Sequence, residues 1–254
     1  ACAALYVSWA DFYHQKQDFV SEMKVIEEGI KRSPSSEFTA DLKDKQRIVC
    51  MPSLSVQVTH PYPQAEAELR VTSKNLKGAT LEWYRLNLKA SSSVFARNLE
   101  HADLIKKYGT LVDKVRLDLP DTPTYKDTVS VLTSRMPEAG IYILKSIPDG
   151  YKDKMGYDVV HLSALQVASF PMEGRQTECH VVDRKTGKPV AGAELVFYSI
   201  PVPGNYTLYK TFKADKLGKV VVPDMKESLW MHARAGKDEF MQVAYWSRRV
   251  LPTV

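Results

Sequence analysis

Six histidines and three cysteines are the side chains of this sequence best suited to metal or nucleophilic chemistry, and their spacing decides whether they can perform it. His14, His60, His101, His161, His180 and His232 never fall in a paired-ligand or zincin-like pattern. Cys2, Cys50 and Cys179 are far apart, and without a Cys-x-x-Cys pair a structural zinc site is not expected. The cysteines read as buried thiols, and the sequence leaves open whether Cys50 and Cys179 ever meet. There is no Gly-x-Ser-x-Gly elbow, phosphate-cradling loop or dinucleotide fingerprint. Glu27-Glu28 reads as solvated charge on a helix. Asp238-Glu239 follows Gly236 in a turn with too few oxygens nearby for calcium. The expectation is a protein that is not an enzyme, with no catalytic residue, no cofactor and no metal.

Aromatic side chains could instead serve binding. Trp83 and Tyr84 are adjacent on one strand and must point to opposite faces, one into a core and one outward. Tyr245 and Trp246 repeat that arrangement. Tyr206, Tyr209 and Phe212 form the candidate exposed interaction surface, a platform for a sugar ring or nucleobase. Against this stands their reading as ordinary cross-strand packing.

The elements that would carry these residues follow from periodicity. In residues 4–32, Leu5, Trp9, Phe12, Phe19, Met23, Ile26 and Ile30 recur at helical spacing and predict one amphipathic helix. Ser33-Pro34-Ser35-Ser36 ends it, and a shorter helix capped by Ser35 or Ser36 follows. Residues 1–50 are thus an αα-hairpin or the tail of a helical region. From Pro52 the pattern alternates, predicting an antiparallel β-sandwich over 51–168 with a helical excursion near 90–109. A second sandwich is expected over 169–254, with the boundary strand "YDVVHLSALQVASF" able to serve both. Within it, "VVDRKTGKPVAGAELVFY" alternates, reverses at Thr186-Gly187 and resumes, which predicts a β-hairpin. His161, His180 and His232 fall in strands, as surface or core-edge residues with satisfied ring nitrogens. The fold class is therefore mainly β: two consecutive immunoglobulin- or fibronectin III-like sandwiches after a helical segment.

Charge and hydropathy exclude further classes. A net charge of +5, with Lys and Arg scattered among acids, argues against nucleic acid as a partner. No apolar run approaches the roughly 18 residues of a membrane-spanning helix. Nor does a basic region followed by an apolar stretch open the sequence, so a secretion signal is not expected within it.

The ordered series "AELRVTSKNLKGATLEWYRL", "MPEAGIYILKS", "YDVVHLSALQVAS" and "VVDRKTGKPVAGAELVFY…TFKADKLGKVVVPD…WMHARAGKDEFMQV" resembles successive macroglobulin-type domains of bacterial alpha-2-macroglobulin-like proteins. The likeness spans about residues 53–250, and the leading helices fit members of the Bacteroidetes type. The resemblance implies a piece of a large protease trap of the cell envelope, in the periplasm or at the cell surface and in some members lipid-anchored. Its partners would be other domains of the same polypeptide and, through the whole protein, target proteases. The family's Cys-x-Glu-Gln thioester is not matched: Cys2, Cys50 and Cys179 are followed by Ala3-Ala4, Met51-Pro52 and His180-Val181. No catalytic residue carries over. The alternative function is a freestanding cell-surface binding module, adhesin-like or carbohydrate-binding.

Overall fold

The computed structural model describes residues 3–59, 62, 66–87, 100–120, 124–173, 176–202, 205–223 and 229–244. Helices α1 (Ala3–Gln15), α2 (Phe19–Arg32) and α3 (Thr39–Cys50) come first. The single long helix expected over 4–32 is two, because Gln17 adopts φ 54° and the Asp18 side chain caps α2 by accepting from the Ser21 amide. That break reverses the chain and changes which side of α1 is buried. Ala3, Tyr6 and Ala10 face inward, whereas Leu5, Trp9 and Phe12 are 48%, 49% and 52% exposed. The two helices cross closely, with Tyr6 of α1 lying over Gly29 of α2: a Cβ on Gly29 would sit 2.8 Å from Tyr6 Cβ. The cap of α3 also differs from expectation. Phe38 occupies the N-cap without a side-chain bond, while Ser36 stabilises the preceding turn by accepting from the Phe38 amide through Oγ.

Fourteen strands follow among the described residues. The first seven are β1 (Ser53–Val58), β2 (Glu66–Lys74), β3 (Gly78–Leu86), β4 (Gly109–Asp118), β5 (Thr128–Arg135), β6 (Gly140–Pro148) and β7 (Gly156–Leu162). Helix α4 (His101–Tyr108) lies between β3 and β4. The second seven are β8 (Leu165–Pro171), β9 (Thr177–Asp183), β10 (Glu194–Val202), β11 (Asn205–Lys213), β12 (Lys219–Val222), β13 (Leu229–Ala235) and β14 (Asp238–Ala244). The run expected to be one boundary strand breaks at Ser163-Ala164, where β7 ends and β8 joins the next sheet.

Strand order shows a duplication. The first sandwich packs sheet β1-β2-β5 on sheet β4-β3-β6-β7, and the second packs β12-β9-β8 on β11-β10-β13-β14. Renumbering β8–β14 as one to seven reproduces the first sandwich strand for strand. All pairings are antiparallel. Each sandwich closes on its own core: Leu69, Leu81, Trp83 and Tyr142 in the first, Val181, Leu195, Phe197 and Met231 in the second.

The expected hairpin between β9 and β10 is not one. The chain does reverse, with Gly187 at φ 69° and its amide donating to the Asp183 carbonyl, but β9 and β10 enter opposite sheets. Both arms alternate, so Cys179 and Val181 meet Leu195 and Phe197 across the core instead of side by side. Alternation alone is satisfied equally by a hairpin and by an arch.

Candidate functional site

Strands β6 and β10 carry the apolar runs Ile141-Tyr142-Ile143-Leu144 and Leu195-Val196-Phe197-Tyr198. On a sandwich sheet with one face in water such runs would place apolar side chains outside; here both faces are covered. Tyr142, Leu144, Leu195 and Phe197 point into their own cores. Their neighbours point outward into a third cluster, in which Leu86, Ile141 and Ile143 of the first sandwich meet Val196, Tyr198 and Met241 of the second. Leu104, Ile105 and Tyr108 of the α4 region, with Tyr84, Tyr157 and Trp230, pack around it. Trp83 and Tyr84 divide as expected, Trp83 in the core and Tyr84 on this shared face.

Polar contacts rim the face where the chain crosses between sandwiches. The Ala164 amide donates to Asp238 Oδ2 at 2.8 Å. Arg184 donates from its amide to the Ala164 carbonyl at 2.6 Å and from Nη2 to the Leu165 carbonyl at 3.1 Å. Its guanidinium also lies over the Phe240 ring, 5.4 Å from the centroid. His161 of β7 sits edge-on to Phe240 and accepts the Met241 amide at Nδ1, 3.4 Å away. Burial first, then the Arg184 charge, pulls its pKa down to about 4, so this imidazole is neutral near pH 7.

Beside this crossing lies a cleft of about 540 Å³ lined by residues of β1 and β7 with His161, Arg184 and Phe240. It brings together one neutral imidazole and one guanidinium already engaged with backbone and ring. The Asp158 carboxylate and the Thr59 hydroxyl line it as well; the hydroxyl donates to the Glu68 carbonyl, and neither group bonds His161 among the described contacts. Among the described residues, no group of three or more His, Cys, Asp or Glu is placed to hold a metal ion. The other strand histidines are paired with carboxylates: His180 Nε2 lies 2.6 Å from Glu178, and buried His232 Nε2 lies 3.1 Å from Glu239.

Near the shared face, Glu82 shows how a carboxylate is kept charged under cover. Burial raises its pKa, but the Tyr84 hydroxyl at 2.9 Å and the Lys114 and Lys145 ammoniums outweigh that and hold it below the ordinary range. Cys50 and Cys179 are free thiols, both pushed up by burial. Reactive thiols are depressed and accessible; buried Cys179 is neither, and half-buried Cys50 is not depressed.

The candidate aromatic platform falls on β11. Phe212 is half-buried and packs edge-on to Phe197 at 5.8 Å, with Lys210 Nζ over its ring. Tyr209 is the extra residue of a bulge between β10 and β11. The side chains of Tyr206 and Tyr209, like Tyr245, Trp246 and His60, lie outside the described residues. The shared face itself escaped sequence reading, although the two unbroken apolar runs were the signal that both sides of β6 and β10 are covered.

Two solved structures share this architecture. A crystal structure of native alpha-2-macroglobulin from Escherichia coli spanning domains NIE-MG1 matches with a TM-score of 0.57 at 15% identity, over 75% of this chain and 97% of that one. A second, spanning domains MG0-NIE-MG1, also gives 0.57 at 15% identity; it matches 76% of this chain but only 64% of the longer one. At that identity the likeness is one of fold. No family model and no curated protein matches the sequence.

Proposed function

We propose that this chain is a non-catalytic scaffold fragment of a large alpha-2-macroglobulin-like protease trap of the bacterial cell envelope, acting in the periplasm or at the cell surface. The observation that carries the reading is the match in fold to nearly the whole of the NIE-MG1 segment of the Escherichia coli protein. The motif series in the sequence supports it independently. So does the junction, where two sandwiches meet through an apolar face rather than a bare linker. A trap must pass a displacement from the site of cleavage to the rest of the molecule. Modules joined by a dry, packed face move as one body, whereas modules on a flexible tether would absorb the motion. The segment's part is to hold neighbouring domains of the same polypeptide at fixed angles. Covalent capture, where it occurs, belongs to other domains, because none of the three cysteines begins a Cys-x-Glu-Gln sequence. No helix among the described residues is long and apolar enough to cross a membrane.

The experiment uses the full-length gene product and a panel of endopeptidases. The reading predicts limited cleavage, a shift to a more compact species on native gels, and protease that still cuts small peptide substrates but not large proteins. Cleavage that leaves the protease fully active on large substrates, with no compaction, would remove it.

A further inference from the structure

Every open-edged sandwich exposes unpaired backbone donors and acceptors, and edge strands are ordinarily blunted by charge, proline, bulges or brevity. Most edges of this chain follow that rule. Strand β4 is bulged opposite Trp83-Tyr84 and carries Asp113, Lys114 and Arg116. Strand β11 is bulged and carries Lys210 and Lys213, and β14 opens with Asp238-Glu239. Strand β1 starts just after Pro52, β8 ends at Pro171, and β7 contains Gly156 and Asp158. Strand β12 has four residues, one of them Lys219.

Strand β1 lacks charge, proline and glycine, but it has six residues and shows Ser53, Ser55 and Gln57 to solvent; among the described edges β5 is the long, apolar exception. It is the topological counterpart of β12, yet it has eight residues and runs in unbroken register along β2 from Glu66↔Arg135 to Ser73↔Thr128. From Thr128 to Ser134 it contains no charge, proline or glycine. Val129 and Val131 on its outer face are 51% and 62% exposed. Among the described elements, its only extensive contact is with β2.

We propose that β5 is a self-association edge, at which two copies of this chain pair antiparallel about a twofold axis at Val131 and join two three-stranded sheets into one of six. The register is selected by face and charge. A shift that put no residue on the axis would set outward side chains against inward ones, since neighbouring residues point to opposite faces. Of the registers that keep the faces, the one centred on Val131 sets Val129 against Thr133 and Asp127 against Arg135 of the second copy. Centring on Ser130 or Leu132 leaves both charges without a partner. Arg135 gives two donors to Asp113, at 2.7 and 3.1 Å, and a guanidinium has five, so it can take a second carboxylate. Asp127 is exposed, accepting only the Ser53 hydroxyl at 2.8 Å among the described contacts.

Sedimentation of the 254-residue chain over a concentration series at low salt tests this. The expected result is a monomer–dimer equilibrium weakened by salt. Val131→Lys sets two ammoniums against each other on the axis and should weaken the dimer by at least about tenfold. Asp127→Lys, placed against Arg135, should weaken it too. Both positions are exposed, so unchanged unfolding midpoints confirm that the variants fold. In a Cys2→Ser/Cys50→Ser background, Val131→Cys should be joined to its mate by a short bismaleimide, whereas Val159→Cys on the β7 edge should not. A monomer at every concentration, or a dimer indifferent to Val131→Lys, overturns the proposal. A monomer whose β5 amides are nonetheless protected from exchange would put another segment on this edge and overturns it equally.

Discussion

At the scale of single residues, His161 ties stability to pH. Its folded pKa, about 4, lies below the ordinary 6.5, because burial and then Arg184 disfavour the imidazolium, with Glu239 opposing and His232 adding to the effect. As pH falls below 6.5 the unfolded chain takes up this proton first. The contribution is therefore fully present above pH 6.5 and is lost between 6.5 and 4, amounting to about 3 kcal/mol over that window. Urea unfolding at pH 7 and pH 4.5 should show this loss in the parent chain and a shallower one in His161→Gln. Gly218 and Gly187 make a second residue-scale test, since both adopt positive φ. A Cβ at Gly218 would lie 2.4 Å from the Val181 carbonyl oxygen, while one at Gly187 meets nothing within 4 Å. Gly187→Ala should cost about 1 kcal/mol and Gly218→Ala at least about 2 kcal/mol, read from denaturant midpoints.

Among the elements, α2 holds a buried carboxylate that pairs with a histidine of α1. The Glu22 side chain is buried, and both its oxygens lie 3.0–3.1 Å from Nδ1 of His14. His14→Ala removes that partner and should destabilise the α1–α2 pair by on the order of 2 kcal/mol, seen as an earlier loss of helical circular dichroism on heating. The strands were legible one by one because alternation records a wet face and a dry one, as in buried Val56 against exposed Ser55 and Gln57. Helix type was equally legible, since Met23, Ile26 and Ile30 keep their period. What alternation cannot record is the partner across space. Thus β9 and β10 read as a hairpin, although their inward residues meet across a core. The stripe through Leu5, Trp9 and Phe12 likewise read as buried, although Tyr6, lying over Gly29, and the alanines face inward instead. The site was less legible than the fold, because it is a face made by two sandwiches and its residues are ordinary aliphatic and aromatic packing side chains.

Taken whole, the molecule is two copies of one strand order locked along their flanks, with helices leading. Ile143 is fully buried at the centre of the lock. Ile143→Ala should cost about 3 kcal/mol and separate one calorimetric transition into two, as the sandwiches lose their coupling. The scaffold reading stands on that coupling more than on any side chain's chemistry. Residual dipolar couplings from both sandwiches of the deuterated chain measure it most directly. One alignment tensor fitting β1–β7 and β8–β14 together is the predicted result, and two tensors of different magnitude and orientation would show jointed beads and contradict it.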